Sequence, residues 1–116
     1  MDWEDARSRM LERWGAIHDA IGRAHPLDLM VEINVVNEFC GKAKEEAGSP
    51  WAFCDYCPFY HQFGGCREVS SQMSERAAAR DWEGLTVLVD EFLAHLEALK
   101  VPPAEPLPER RRFAAG

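Results

Sequence analysis

The chain has 116 residues and a formal net charge of −7 at pH 7. This length predicts one domain with an ordinary hydrophobic core, so a bound metal is not needed merely to make the chain fold. The acidic charge argues against a general affinity for nucleic acid or anionic lipid, because both need a basic surface.

The N-terminal segment and the hydropathy pattern predict a cytoplasmic protein. Residues 1–13 are dense in Asp, Glu and Arg and contain no apolar segment of the kind that signal peptides carry. No apolar run approaches the ~18 residues that a membrane span needs. In the reducing cytoplasm, clustered cysteines serve more often as metal ligands or redox thiols than as structural disulfides.

Helical periodicity accounts for the first part of the chain. Over residues 2–24 the apolar positions recur at steps of three and four, with Asp2 as the N-cap and Pro26 as the stop. A second helix is predicted from Pro26 or Leu27 to about Ala47. Its inward stripe consists of Leu29, Ile33, Val36, Cys40, Ala43 and Ala47.

Residues 48–65 interrupt this helical pattern. The segment holds six of the 12 aromatic residues of the chain and one charged residue, Asp55. We expect a loop without regular periodicity that is ordered mainly by ligation at Cys54 and Cys57. The aromatic rings of this loop are expected to cover the bound group. The rings are those of Trp51, Phe53, Tyr56, Phe59, Tyr60 and Phe63.

Two further helices are predicted after this loop. The first runs over residues 67–80 with Cys66 at its N-terminus, where backbone N–H groups and the helix dipole stabilise a thiolate. The second follows an N-cap at Asp81 and ends near Leu99. The predicted fold is therefore an all-α domain of four helices over residues 1–100, followed by a flexible Pro- and Arg-rich tail, residues 101–116.

The four cysteines are the chemical centre of the sequence. Cys40, Cys54, Cys57 and Cys66 follow the spacing Cys-x13-Cys-x2-Cys-x8-Cys. A lone Cys-x-x-Cys also serves thiol–disulfide exchange. Two more cysteines, one on a helix and one at a helix start, favour four ligands of one centre.

Three kinds of site fit this spacing. A [4Fe–4S] cluster accepts scattered single cysteines, because each thiolate binds a separate iron, and burial tunes its potential. A structural zinc site would use the same four thiolates, or three of them with His61, although zinc modules usually pair two Cys-x-x-Cys knuckles. A metal-free device would cycle Cys54 and Cys57 between dithiol and disulfide, which leaves the other two cysteines without a role.

The iron–sulfur interpretation is the one that we carry forward. It predicts a small cytoplasmic protein in electron transfer, in redox or oxygen sensing, or as an accessory subunit of a redox system. Its partner would be a redox enzyme or regulator, and neither nucleic acid nor membrane is expected as a partner. No catalytic constellation is recognised, since the sequence contains neither a Glu-x-x-His pair nor a glycine-rich phosphate loop. The alternative is a zinc-stabilised protein-interaction module without redox activity.

Overall fold

The computed structural model describes residues 1–35, 37–49, 51 and 53–102, and this part of the chain is all-helical, without a strand. It contains five α-helices of nine or more residues instead of the expected four, with one six-residue helix and one 3-10 turn. The elements are α1 (Trp3–Ala20), α2 (Pro26–Asn34), α3 (Glu38–Ala47), the 3-10 turn (Phe53–Tyr56), α4 (Pro58–Phe63), α5 (Cys66–Ala78) and α6 (Trp82–Ala98).

Helix α1 begins as predicted and ends earlier than predicted. The Asp2 carboxylate accepts a hydrogen bond from the Asp5 N–H at 2.8 Å, and the Asp5 carboxylate accepts one from the Asp2 N–H. This reciprocal pair satisfies two of the N–H groups that a helix start leaves without partners. The helix stops at Ala20, well before Pro26, because Gly22 takes a left-handed φ of 78°.

The predicted second helix is two helices, and the single-helix expectation over residues 26–47 is wrong. Val35 adopts an extended conformation, and the Asn37 side chain then caps a new helix by accepting from the Cys40 N–H at 2.8 Å. Asparagine competes well for this position because its short side chain bonds the backbone, which favours caps over helix interiors. The Arg13 guanidinium also donates to the Glu32 carbonyl at 2.9 Å and thereby satisfies an acceptor at the end of α2.

The break changes which residues face the core. Phe39 and Ala43 of α3 are fully buried, whereas Cys40 is half-buried. The sequence stripe had placed Cys40 inward and Phe39 on another side of one continuous helix. Because a new helix starts at residue 38, its phase is independent of α2. Val36, also assigned to that stripe, lies outside the described residues.

Residues 53–63 are more regular than the expected loop. Pro58 opens α4 at a position where proline costs no hydrogen bond. Phe59 is buried, with its ring centroid 5.1 Å from that of Phe92 and 6.3 Å from that of Phe39. Phe63 stacks on His95 at 4.2 Å between centroids. Contacts with α6 and α3 therefore hold α4 in place.

Helices α5 and α6 follow the prediction closely. Met73 and Ala77 of α5 are buried, and the inward face of α6 includes Leu85 and Leu96. The Asp81 carboxylate caps α6 by accepting from the Gly84 N–H at 3.0 Å. Helix α1 packs against α3 and α6, and α2 packs against α5, so the described helices share one hydrophobic core.

The chain leaves α6 beside α4. The Gln62 side-chain amide donates to the Lys100 carbonyl at 2.7 Å, and its oxygen accepts from the Lys100 N–H at 3.0 Å. Of the predicted tail, residues 103–116 lie outside the described residues. None of the described helices is both long and apolar enough to cross a membrane.

Candidate metal centre

The four cysteines occupy four consecutive elements. Cys40 lies in the first turn of α3, Cys54 in the 3-10 turn, Cys57 at the N-cap of α4, and Cys66 at the first position of α5. All four are free thiols. Each of these positions is a helix start or a tight turn, where the backbone places a side chain firmly without a long flexible segment.

Two contacts bring Cys54 and Cys57 to the same end of the molecule as Cys40. The Cys57 N–H donates to the Cys54 carbonyl at 3.0 Å, which closes the turn between them. Helix α3 packs against this 3-10 turn, and the Lys44 ammonium lies 4.9 Å from the centroid of the Phe53 ring. This cation–π contact links the turn to the helix that carries Cys40.

The Cys66 thiol interacts electrostatically with each of the other three thiols. Burial is the main cause that raises the pKa of the Cys66 thiol to about 12. The nearby charges of Cys57, Cys40 and Cys54 add to the rise. The sequence led us to expect a stabilised thiolate at this helix start, and in the metal-free chain desolvation outweighs that effect.

Burial acts on two further thiols. It raises the pKa of Cys40, to which the charges of Cys57 and Cys54 contribute, while the Lys44 ammonium partly offsets the rise. Burial also raises the pKa of Cys57. The N–H groups of Tyr60 and Phe59 face the Cys57 sulfur without meeting hydrogen-bond geometry, and they offset part of that rise. A bound cation would replace the protons that these thiols hold near neutral pH.

Asn37 connects two of the cysteines and was not singled out in the sequence. Its side-chain oxygen accepts from the Cys40 N–H, and its backbone N–H favours the Cys40 thiolate. Its side-chain amide favours the Cys66 thiolate, so one residue acts on thiols of both α3 and α5. The available signal was an asparagine three residues before Cys40, which is the spacing of a helix cap.

The expected aromatic cover over the site is wrong for most of the six rings. Trp51 is 80% exposed and Tyr56 is 50% exposed, and Tyr60 and Phe63 are also exposed. Phe59 is the ring that packs into the core. These exposed rings therefore do not exclude solvent from the exposed Cys54 as a lid would.

His61, the alternative zinc ligand, contacts the backbone of the 3-10 turn. It is exposed, and its Nε2 lies 2.5 Å from the Asp55 carbonyl oxygen. This interaction ties the 3-10 turn to α4 and engages one of the two ring nitrogens.

The donor set consists of four free thiols on four separate elements. Among the described residues, no three His, Cys, Asp or Glu side chains stand close enough to hold one metal ion. A four-iron cluster sets a wider spacing between its thiolates than one ion does, because each thiolate binds its own iron. Cys40, Cys54, Cys57 and Cys66 would hold such a cluster, which supplies one-electron chemistry when bound.

Similarity to known proteins gives no further guide to this site. No protein-family model, no curated protein and no solved structure matches the chain.

Proposed function

We propose that the chain is a small cytoplasmic iron–sulfur protein that binds a [4Fe–4S] cluster through Cys40, Cys54, Cys57 and Cys66. The observation that carries the proposal is the placement of four free thiols on four successive elements, with Cys54 and Cys57 joined by one turn that packs against the helix of Cys40. Clustered, uncompensated thiols raise each other's pKa, and a bound cation removes that repulsion.

The surroundings of the thiols also suit a cluster. The positive charge of the cluster core is smaller than the negative charge of the four thiolates, so the loaded site retains a net negative charge. The Lys44 ammonium, the N–H groups at the start of α4 and the Asn37 amide lie where they offset this charge. Such donors tune the reduction potential of iron–sulfur centres.

Four protein thiolates leave no iron open to a substrate. The role that follows is electron transfer, redox or oxygen sensing, or service as an accessory subunit, in each case with a redox enzyme or regulator as partner. Trp51, Tyr56 and Tyr60 are exposed and lie within six residues of Cys54 in the chain. Tyrosine and tryptophan are enriched at protein interfaces, so this surface is a suitable contact for that partner.

The test is anaerobic purification followed by metal analysis. We expect broad visible absorption, about four irons and about four sulfides per chain. Replacing any one of the four cysteines by serine should lower the iron content. His61→Ala is the matched control, because His61 lies in the same segment and is not a proposed ligand; its iron content should stay unchanged.

Two results would overturn the proposal. A colourless chain with one zinc would identify a structural zinc site. Iron content that survives Cys40→Ser without a change in spectrum would remove Cys40 from the ligand set.

A further inference from the structure

The four proposed ligands differ sharply in their access to solvent. Cys57 is 7% exposed, Cys40 and Cys66 are half-buried, and Cys54 is exposed. The chain around Cys54 is equally open, since Asp55 and Tyr56 follow it and both are exposed. Any reagent from solution therefore meets the Cys54 corner of the site first.

The three inner thiols also have support that other elements supply. Backbone N–H groups of α4 face Cys57, and Asn37 favours the thiolates of both Cys40 and Cys66. Cys40 and Cys66 are each held on a framework helix, α3 or α5. Cys54 is held on a single 3-10 turn of four residues, which is the smallest element that carries a ligand.

We propose that Cys54 is the exchangeable ligand of the site and that one-electron oxidants release Cys54 before the other three ligands. This inference rests on the proposed cluster. It makes Cys54 a redox-controlled thiol and gives the chain a means of responding to oxidants.

The chemistry balances with a one-electron oxidant such as ferricyanide. The oxidant takes one electron from the loaded site, and one iron leaves as Fe²⁺. The bond from this iron to the Cys54 sulfur breaks with the electron pair on sulfur, and its bonds to the inorganic sulfides break in the same way. The thiolate then takes a proton from water, and three irons stay on Cys40, Cys57 and Cys66.

The experiment follows iron and thiols together. The anaerobically loaded chain receives one equivalent of ferricyanide and a ferrous chelator, and light iodoacetamide then labels the native protein. After denaturation, heavy iodoacetamide labels the remaining thiols, and mass spectrometry maps both labels. We expect one iron lost per chain, and at least tenfold more light label on Cys54 than on any other cysteine.

Two controls separate this release from incomplete loading. The loaded chain without oxidant should take up little light label at any cysteine. Light label on Cys54 should rise in proportion to the first iron lost, while three irons remain. Light label that spreads over the four cysteines, or the loss of all four irons together, would overturn the inference.

A pair of variants gives an independent test. Cys54→Ala should still assemble a site with about three irons, because the three remaining ligands are those that Asn37 and the N–H groups of α4 support. Cys66→Ala should retain almost no iron. Equal retention by the two variants would contradict the inequality of the ligands. A parent chain that holds zinc and no iron would overturn the proposed function at the loading step, before any oxidant is added.

Discussion

Asn37 shows how one polar residue can serve the fold and the site together. Its side-chain oxygen caps α3, and its amide group favours the Cys66 thiolate of α5. An outer residue of this kind orients and tunes ligands without binding the metal. The two tasks use different atoms, so substitution can separate them.

Asn37→Ser should lower the reduction potential of the loaded protein with little effect on its helicity. Serine caps a helix about as well as asparagine, but it lacks the amide N–H that offsets negative charge at Cys66. Asn37→Asp should lower the potential further, because it retains the cap and adds a negative charge. Potentiometric titration and circular dichroism measure the two effects. An unchanged potential in both variants would limit Asn37 to capping.

The buried Cys66 thiol predicts a pH dependence for the metal-free chain. Its pKa rises from the usual 9.0 to about 12 in the folded state, so the folded chain keeps a proton that the unfolded chain loses. The contribution of the protonated Cys66 thiol to the free energy of unfolding is therefore fully present below pH 9 and is lost as the pH rises towards 12.

Cys66→Ala isolates this contribution. The difference in unfolding free energy between the parent and the variant should be constant below pH 9. Above pH 9 the parent should lose stability relative to the variant, as urea unfolding at a series of pH values would measure. A difference that stays flat up to pH 11 would show that this thiol keeps its ordinary pKa.

At the scale of single elements, the sequence predicts amphipathic helices well and breaks in them poorly. Helices α1, α5 and α6 have long apolar stripes, and α1 and α6 also have acidic caps at Asp2 and Asp81. These signals are local. The stripe across residues 26–47 also continues without interruption, so periodicity alone cannot reveal the break. Two interactions favour the break: the Asn37 cap on α3 and the hydrogen bond from Arg13 to the end of α2. The Arg13 hydrogen bond is a tertiary interaction.

The short α4 escaped prediction for a related reason. Six residues are too few to display a periodic stripe, and isolated helices of this length are unstable in water. Phe59 and Phe63 stabilise α4 through their contacts with α6. The four candidate cysteines could be identified from the sequence, whereas the exposure of Cys54 is a property of the folded chain that its spacing does not reveal.

The start of α6 predicts a measurable coupling between two residues. A Cβ atom at Gly84 would clash with Oδ2 of Asp81 and lie 3.1 Å from Oδ1, the oxygen that caps α6, so the carboxylate must shift. Gly84→Ala gains about 1 kcal/mol in helix propensity, and loss of the Asp81 cap costs about 1 kcal/mol. We therefore expect little net change in the parent but a gain of about 1 kcal/mol in the Asp81→Ala background.

A double-mutant cycle by urea unfolding checks this coupling. Arg76→Ala belongs in the set as a control, because Arg76 also contacts the Asp81 carboxylate, at 3.0 Å. Additive effects of Gly84→Ala and Asp81→Ala would show that the cap adjusts without loss.

At the scale of the whole molecule, the four thiols belong to elements that pack around one hydrophobic core. The hydrophobic core contains buried residues from each of the helices α1 to α6. Among the described residues, Cys57 is the one cysteine that is buried in this core. The sequence led us to expect that metal removal would loosen residues 48–80. The packing of α4 narrows the region that we expect to loosen, because the Phe59 ring contacts Phe92 and Phe39 and none of these contacts involves a thiol.

Removal of the bound group should therefore expose mainly residues 48–57 to hydrogen exchange. The far-UV helicity should stay nearly unchanged, and α4 and α5 should keep most of their protection, since tertiary contacts hold both. Exchange measured on loaded and metal-free protein tests this expectation. Global loss of protection would mean that the helices depend on the cofactor, and no change would mean that the 3-10 turn is held by its own contacts.

The two hydrogen bonds between Gln62 and Lys100 resemble one rung of an antiparallel ladder, built from a side-chain amide instead of a second strand. This rung sets a boundary for shortening the chain. A chain that ends at Lys100 retains both the N–H and the carbonyl oxygen that Gln62 binds, whereas one that ends at Leu99 retains neither. A probe attached beyond Lys100 would also start from a fixed point beside α4, so distances measured from it would be referenced to the helix that begins next to Cys57.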